Sequence, residues 1–391
     1  MIEILIGNTS QLYEEVENEN VYIYGAKTVA MRTERFLNFK GIDSKAFLVS
    51  NKYENPKELM GKTVLRIEEE KIHYECVIVA VSGANVWKVR DELLKYDIEK
   101  LLIIHPMMDD DFLSCRVILG RCIISDRAYI ADNVQIVVDE SSELIIESGV
   151  VINSGSVILV DNNSCLYINS QSVLGKNVFI SVSNSSNINM KNMISIHDEC
   201  RILVKNKSDY IMNEKVQLAK RVVVSLDNVS KLFMGNGCNI DELSRISGSN
   251  NSNIIIKDET YIGRNCVLGC YNNGLIEIGE NTTIYDFLFM VSDKSCIIIG
   301  KECMFSYYIK INVGSHKIIE KNSKKEITNR RKIIIGNHVW CGMGVTILPG
   351  CSVGDGSIIG ASSLVNKEVL NNVTCAGNPA VFRRGGIEWI R

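Results

Sequence analysis

The stretch IESGVVINSGSVILVDNNSCLYINSQSVLGKNVFI, residues 146–180, decides the fold because apolar residues recur in it at a fixed spacing. Ile146, Ile152 and Ile158 stand six residues apart, and the triplet returns 22 residues later. A fixed period of this length is the signature of a solenoid, so we predict three short faces per coil. The full series is Ile124, Ile130, Ile136; Ile146, Ile152, Ile158; Ile168, Leu174, Ile180; Met190, Ile196, Ile202; Met212, Leu218, Val224; Met234, Ile240, Ile246; Ile256, Ile262, Leu268; Ile278, Ile284, Met290; Ile299, Phe305, Ile311; Ile335, Cys341, Ile347; and Val353, Ile359, Val365.

Tight corners are predicted between the faces. Glycine and asparagine tolerate positive φ better than other residues, and a sharp corner needs that backbone conformation. They recur three residues after the apolar positions, at Asn133, Gly149, Gly155, Asn177, Gly237, Asn265, Asn281, Gly344, Gly350 and Gly356. Serines also recur every 22 residues from Ser142 to Ser252, which predicts a bulge at one corner that could serve as a docking ridge.

Bulk composition excludes several classes of protein. The 391 residues carry 43 basic against 46 acidic side chains, a net charge of −3, with no basic patch for nucleic acid. No run of 18 apolar residues predicts a membrane span, and the N-terminus lacks the pattern of a secretory signal. We therefore expect a cytoplasmic protein with no metal.

The thirteen cysteines support a reducing compartment. Several follow an apolar position by four residues, where a small inward side chain belongs, and no C-x-x-C pair occurs. They read as buried small apolar residues. The alternative, a metal role for the near pair Cys266 and Cys270, has little support.

Residues 1–112 follow another pattern and predict a small Rossmann-like α/β domain. Strands are expected at 21–24, 46–49, 76–81 and 101–104, with helices near 28–40 and 85–96. The phosphate-binding fingerprint G-x-G-x-x-G is missing after Gly25. The turn there is either a plain strand-to-helix connection or a contact for a nucleotide-sugar.

A segment is extruded near the end of the solenoid. Between Ile311 and Ile335 the spacing is 24 residues instead of 10, which places a loop at 312–332 outside the coils. Long excursions from a regular scaffold are commonly functional. His316 stands at its root and could take a proton from a hydroxyl or an amine, as acyl transfer from a thioester requires. Spacing alone also allows a solvated loop histidine.

The last hexads carry a family resemblance. Residues 335–342, IGNHVWCG, residues 347–361, ILPGCSVGDGSIIGA, and the ending Ala376-Gly377-Asn378-Pro379-Ala380 resemble the hexapeptide-repeat acyltransferases of the sugar and polysaccharide O-acetyltransferase type. The resemblance covers about 295–385 with specific motifs. It implies a left-handed β-helix of about eleven coils over 113–391, an exception to the usual right-handed crossover. It also implies a C-terminal tail at 370–391 and a homotrimer with the acyl site between adjacent chains.

The resemblance also assigns the catalytic and acceptor residues. His316 matches the catalytic histidine, and Asn329 the asparagine that recurs after the loop. Trp340 matches a tryptophan near the acyl groove that packs on acceptor or pantetheine, although an outward exposed ring is the alternative. Tyr308 stands where galactoside-type members carry a substrate-contacting asparagine, and Gly314 where capsule-type members often have aspartate.

Acetyl-CoA is the co-substrate that the resemblance implies. Small residues at Gly342, Gly360, Ala361 and Ser362 would let its pantetheine arm lie against the backbone. Cations can pair with its phosphates, although a solvated C-terminal turn would also account for Arg383 and Arg384. The implied cationic residues are Lys367, Arg383 and Arg384.

The sequence thus predicts an acetyl-CoA:sugar O-acetyltransferase that works by direct transfer, with His316 as base and a backbone N–H near Trp340–Gly342 stabilising the oxyanion. Its acceptor is expected to be a sugar of a surface polysaccharide or its precursor. Two alternatives stay open. One is an N-acetyltransferase of a nucleotide-linked aminosugar, and the other is a non-catalytic β-helical scaffold or glycan-binding rod.

Overall fold

The computed structural model describes residues 2–7, 16, 19–25, 28–39, 41–51, 55–80, 85–104, 116–118, 120–131, 133–313, 318–327 and 331–391. The chain divides into two compact units, Met1–Val117 and Ile118–Arg391. The protein is mainly β, because most of the second unit is a parallel β-solenoid. No helix in the described part of the chain is long and apolar enough to cross a bilayer.

The first unit is a seven-stranded sheet with the strand order β1-β7-β6-β2-β3-β5-β4, parallel except for the pair β4 and β5. The predicted strands and helices are confirmed within a few residues, whereas β1, β4 and β5 were not predicted. Side chains on both faces of the sheet are buried, which explains why its central strands read as continuous apolar runs. The elements are β1 (Glu3–Gly7), β2 (Val21–Tyr24), α1 (Thr28–Phe39), β3 (Ala46–Val49), β4 (Glu58–Leu59), β5 (Lys62–Arg66), β6 (Tyr74–Val79), α2 (Asn85–Leu93) and β7 (Ile98–Ile104).

The solenoid has three parallel sheets, named faces 1, 2 and 3 in the order in which the chain meets them. Face 1 contains Arg116–Ile118, Gln135–Val138, Val157–Val160, Phe179–Ser183, Arg201–Lys205, Val223–Asp227, Arg245–Ser249, Val267–Tyr271, Phe289–Asp293, Lys310–Asn312, Thr346–Ile347 and Leu364–Val365. Face 2 contains Arg121–Ile124, Glu143–Ile146, Cys165–Ile168, Asn187–Met190, Asp209–Met212, Lys231–Met234, Asn253–Ile256, Leu275–Ile278, Cys296–Ile299, Ile333–Ile335 and Ser352–Val353. Face 3 contains Tyr129–Ile130, Val151–Ile152, Val173–Leu174, Ser195–Ile196, Gln217–Leu218, Asn239–Ile240, Tyr261–Ile262, Thr283–Ile284, Met304–Phe305, Trp340–Cys341, Ile358–Ile359, Val373–Ala376 and the antiparallel Val381–Gly385.

The strand register reproduces the spacing of the sequence. Tyr210 faces Leu232, a step of 22 residues, and Ile276 faces Ile297, a step of 21. From Ile136 onward every residue of the apolar series is buried, while Ile124 and Ile130 in the first coil are half-buried. The predicted inward row is therefore confirmed. Cys200, Cys238, Cys266, Cys303 and Cys351 are buried as predicted, and the described cysteines form no disulfide.

The corners also follow the prediction. Positive φ is found at Gly149, Gly155, Asn177, Gly237, Asn265, Asn281, Gly344, Gly350 and Gly356, with values between 53° and 86°. The corner between faces 1 and 2 uses two such residues in succession, as at Asn162 and Asn163. There the Asn162 amide donates to Asn184 Oδ1 at 3.0 Å, and this one in turn to Asn206 at 2.8 Å. Asparagine has two roles at this corner. It tolerates the positive φ, and its side-chain amide forms hydrogen bonds between successive coils.

The serine row is not a docking ridge, and that part of the prediction is wrong. Ser164, Ser186 and Ser208 are fully buried. The backbone N–H of each donates to the hydroxyl of the serine one coil earlier, at 3.1–3.2 Å. A buried N–H needs an acceptor, and a small hydroxyl supplies one where no carbonyl is in reach. The repeated serine therefore has a structural role at this corner in the coils that carry it.

Candidate functional site

The extruded segment leaves the solenoid after face 1. Val313 is buried at the end of the coil, and the chain rejoins face 2 at Ile333. Between them, Ile318–Ile319 pairs antiparallel with Glu326–Ile327. All described residues from 318 to 327 are exposed, and they include a short hairpin between two coils. His316, Asn329 and Gly314 lie outside the described residues, and their roles stay predictions.

Tyr308 belongs to a group of exposed aromatic side chains at the corner between faces 3 and 1. Its ring stacks on that of Phe287, with centroids 4.8 Å apart and planes 5° apart. Tyr285 and Tyr307 form a second stacked pair at 5.5 Å. Tyr308 remains 52% exposed, so it is available to a ligand. Sequence reasoning missed the other three rings, although the 21-residue step from Phe287 to Tyr308 signals the pairing.

Apart from Met343, which is 52% exposed, the same corner carries small residues in the next coils. A Cβ on Gly342 would lie 2.7 Å from the nitrogen of Ala361, and one on Gly360 would lie 2.8 Å from Cβ of Ala376. The N–H of Gly344 donates to the carbonyl of Tyr307, and the N–H of Ser362 donates to that of Met343. Tyr308, Gly342, Gly360, Ala361 and Ser362 are thus brought together along one corner, aromatic on one side and small on the other.

Trp340 lies on face 3, 37% exposed, beside the C-terminal segment. Its ring centroid is 6.1 Å from that of Trp389. Trp389 is buried and stacks on the imidazole of His338 at 4.1 Å. Trp389 Nε1 donates to the carbonyl of His338 at 2.8 Å, and His338 Nε2 donates to the carbonyl of Trp389 at 2.9 Å. His338 therefore anchors the C-terminal segment. Sequence reasoning missed Trp389.

The backbone N–H groups of Trp340 and Gly342 are two candidates for the predicted oxyanion donor. The Trp340 N–H donates to the carbonyl of Ser357 at 3.0 Å, and the Gly342 N–H to that of Ile359 at 2.8 Å. Both amides are therefore occupied by the hydrogen bonds that stack the coils. Neither of these two amides is free for an oxyanion, so the predicted donor near Trp340–Gly342 would be a neighbouring group.

The predicted phosphate-binding cations lie at the last coils. Arg383 and Arg384 are exposed on the strand Val381–Gly385, which pairs antiparallel with Val373–Ala376. No carboxylate in the described part of the chain forms an ion pair with either guanidinium. A Cβ on Gly377 would lie 3.3 Å from Arg383 Nη2, so Arg383 lies next to the end of the small-residue corner. Lys367 is exposed nearby. Burial raises the pKa of Cys375, and the positive charge of Lys367 partly opposes that rise.

Among the described residues, no group of three or more His, Cys, Asp or Glu side chains could hold a metal ion. Cys266 and Cys270 are both buried. The thiol of Cys266 contacts the carbonyl of Tyr285 at 3.4 Å, and that of Cys270 contacts the carbonyl of Asn253 at 3.5 Å. Burial raises the pKa of Cys266 to about 11 and that of Cys270 to about 12. Both are therefore poor thiolate ligands at neutral pH.

Residues 332–367 match the bacterial transferase hexapeptide family, which is described by six repeats. The galactoside O-acetyltransferase of Lactococcus lactis is 33% identical over 114 residues, which are 29% of this chain and 55% of that protein. The polysialic acid O-acetyltransferase of Escherichia coli O1:K1 is 34% identical over 115 residues, 29% of this chain and 38% of that protein. The resemblance to hexapeptide-repeat sugar O-acetyltransferases is confirmed.

The chain spans about half the length of the curated relatives that it matches. Among solved structures, a polysialic-acid-specific acetyltransferase is 26% identical with a TM-score of 0.37, and the match covers 56% of this chain and 87% of that chain. A Vibrio cholerae hexapeptide-repeat acetyltransferase, solved with acetyl coenzyme A, is 28% identical with a TM-score of 0.25, covering 28% of this chain and 60% of its own.

Proposed function

We propose that this protein is an acetyl-CoA-dependent O-acetyltransferase that acts on a sugar of a surface polysaccharide or its precursor. The observation that carries the proposal is the likeness of the last coils to sugar O-acetyltransferases. The family match begins at residue 332, directly after the extruded hairpin. The aromatic and small-residue corner, with exposed cations beside it, supports a groove for an acceptor and a thioester.

The proposed reaction is direct transfer. His316 takes the proton from an acceptor hydroxyl as its oxygen forms the new bond to the acetyl carbon. The C–S bond then breaks, and the imidazolium returns the proton to the sulfur, so coenzyme A leaves as the thiol. Asn329, Trp340 and Tyr308 are proposed to contact the acceptor. Because the Trp340 and Gly342 amides are occupied, the oxyanion needs a different donor.

Acetyl-CoA is proposed to lie along the small-residue corner. With no side chain larger than a hydroxymethyl group at Gly342, Gly360, Ala361 and Ser362, the pantetheine arm could approach the backbone closely. The exposed Lys367, Arg383 and Arg384 at the end of that corner suit the 3′-phosphate and diphosphate. The residues present therefore fit the co-substrate.

Assembly as a homotrimer is part of the proposal. Three isoleucines of the extruded hairpin, Ile318, Ile319 and Ile327, are 46–53% exposed. An isolated two-stranded hairpin is marginally stable in water, and exposed apolar side chains favour burial against a partner. A neighbouring chain would cover them and complete the acyl site. We further propose a left-handed coil with about eleven turns over 113–391, a Rossmann-like domain over 1–112, and a cytoplasmic location.

The test measures release of free thiol from acetyl-CoA with a panel of sugar acceptors. Wild type should release thiol with at least one hydroxyl acceptor, and His316→Ala should lose most of that activity, about 100-fold or more. His197→Ala, at an exposed corner far along the chain from the extruded segment, is the matched control and should keep the wild-type rate.

Two outcomes would favour the alternatives. Thiol release only with aminosugar acceptors would favour N-acetylation of a nucleotide-linked sugar. No release with any acceptor, or equal release from wild type and His316→Ala, would favour a non-catalytic glycan-binding rod.

A further inference from the structure

Face 2 carries a groove far from the extruded segment. It is a cavity of about 480 Å³ that lies above the strands from Cys165–Ile168 to Asn253–Ile256. The register aligns Tyr167, Asn189, Ile211, Phe233 and Ile255 in one row across these five strands. Tyr167 and Phe233 stand three strand spacings apart, about 14 Å. The shorter side chains between them leave the depression, which we call the face 2 groove.

A polar row runs beside the apolar one. Asn187, Asp209, Lys231 and Asn253 face one another in consecutive strands. The Asn187 amide donates to Asp209 Oδ1 at 2.9 Å. Asn189 Oδ1 is buried, and no donor among the described residues reaches it. A buried acceptor without a partner is unfavourable, so a rotation of the Asn189 side chain toward the groove, where a ligand hydroxyl can donate to it, would satisfy it.

We propose that the face 2 groove is a second binding site, for an oligosaccharide. A sugar ring has apolar C–H faces, which pack on aromatic rings such as Phe233, and a rim of hydroxyls. Hydroxyls both donate and accept, so they can donate to Asn189 Oδ1 and accept from Lys231. The cavity volume falls within the range of about 300–1,000 Å³ that small-molecule sites occupy.

Other occupants fit the groove less well. A peptide cannot add a strand here, because each of these strands is already paired on both sides within the sheet. A second copy of the chain would need an interface of roughly 1,000 Å² or more with a core depleted of charge. The lining of this groove instead includes the charged side chains of Asp209 and Lys231.

The groove is separate from the proposed acyl site. The nearest lining strand, Asn253–Ile256, is three strand spacings, about 14 Å, from Ile333–Ile335, where the extruded segment rejoins face 2. The strand Asn187–Met190 is six spacings, about 29 Å, from the same point. One sugar cannot occupy both places, whereas a polymer can. The inference rests on the proposed function in one respect, namely that the bound glycan is the polysaccharide that the enzyme acetylates. Binding in the groove requires no acyl transfer.

The test is calorimetric titration without acetyl-CoA, using maltooligosaccharides and oligosialic acid as neutral and acidic probes. Phe233→Ala removes one wall of the groove, and Ile211→Trp fills it at a position that is already 39% exposed. Each should weaken binding of the preferred probe about tenfold, the loss expected for one aromatic contact. Phe179→Ala is the matched control on face 1, where that ring contacts Arg201, and should bind as wild type.

Binding of neither probe class, or equal affinity in wild type and both groove variants, would overturn the inference. Thiol-release assays separate this failure from failure of the proposed function. His316→Ala should bind the probe as wild type does, because it leaves the groove intact. If the proposed function is wrong, no variant releases thiol while the groove variants still differ in glycan affinity. If only the groove is wrong, thiol release persists and the affinity differences vanish.

Discussion

Asp241 illustrates how one side chain holds a corner of the solenoid. Its carboxylate accepts hydrogen bonds from the backbone N–H of Glu242 at 2.7 Å, from the Tyr261 hydroxyl at 2.9 Å and from Arg264 Nε at 3.3 Å. Burial disfavours the charged form, but these donors outweigh burial and lower the pKa of Asp241. The ionised carboxylate therefore stabilises the fold above the ordinary carboxyl pKa, and the contribution is lost as the pH falls through the lowered value.

We expect Asp241→Asn to unfold at a lower temperature than wild type at pH 7, with a loss of about 1–2 kcal/mol, since charge-assisted hydrogen bonds are removed. At an acid pH below the lowered pKa, where the wild-type carboxyl is protonated, the difference should shrink. Thermal unfolding followed by circular dichroism at both pH values measures this. Glu259→Gln, at an exposed corner, is the control. An equal difference at both pH values would contradict the argument.

Tyr210 is the second informative residue, because it is fully buried inside the solenoid. Its hydroxyl donates to the sulfur of Met234 at 3.0 Å, and burial raises its pKa. A thioether is a weak acceptor, so the hydroxyl contributes little. Tyr210→Phe should change the free energy of unfolding by less than about 1 kcal/mol, whereas Tyr210→Ala should cost about 3–5 kcal/mol through the cavity it leaves. Comparable losses in both variants would show that the hydroxyl matters.

At the scale of elements, the C-terminal segment is held by few contacts. The ring of Trp389 packs on those of His338 and Trp340. Arg391 donates hydrogen bonds to the carbonyl of Asn281 and the hydroxyl of Thr283, and these contacts hold the last residues on face 3. The solenoid strands beneath are paired independently of it. Losing the segment should therefore affect local order more than global stability.

Trp389→Ala should speed hydrogen exchange and proteolysis of residues 386–391 while the midpoint of solenoid unfolding changes little. The physical reason is loss of the stacked ring and of its hydrogen bond to His338. Mass-spectrometric hydrogen exchange measures the effect. Ile390→Ala, at a side chain that is 92% exposed, should behave as wild type. Unchanged exchange in Trp389→Ala would mean that other contacts hold the segment.

The hairpin that carries Arg383 and Arg384 yields a prediction on the proposed co-substrate. Replacing both arginines by alanine should raise KM for acetyl-CoA about tenfold or more, because charge-assisted hydrogen bonds to phosphate are lost, and should leave KM for the acceptor unchanged. Steady-state kinetics with acetyl-CoA and its 3′-dephospho analogue measures this. Wild type should discriminate between the two thioesters, and the double variant should not. Discrimination retained by the variant would place the phosphate elsewhere.

On the scale of the whole molecule, each coil of the solenoid pairs only with its neighbours. Stability in such an array is approximately a sum of coil and interface terms. The 22-residue register, as between Tyr210 and Leu232, means that removal of one whole coil restores the same alignment.

Deletion of residues 257–278, one complete coil outside the face 2 groove and the extruded segment, should leave a folded protein with a β-type circular dichroism spectrum and cooperative unfolding. Deletion of 257–275, three residues shorter, offsets the following strands by an odd number of residues, and it should turn apolar side chains of the inward row outward. Circular dichroism and gel filtration distinguish the outcomes. Equal solubility of both deletions would argue against register as the determinant.

The sequence by itself determined the solenoid, its three faces, its buried row and its extruded segment, because a period of 22 must place the same residues inward in every coil. It also predicted the family resemblance, through motifs that are local in the chain. Only the tertiary structure decided that the recurring serines point inward, that Trp389 packs on His338, and that Tyr308 stacks on Phe287. These contacts join residues a coil or more apart, and the direction of a side chain at a corner depends on its neighbours in space.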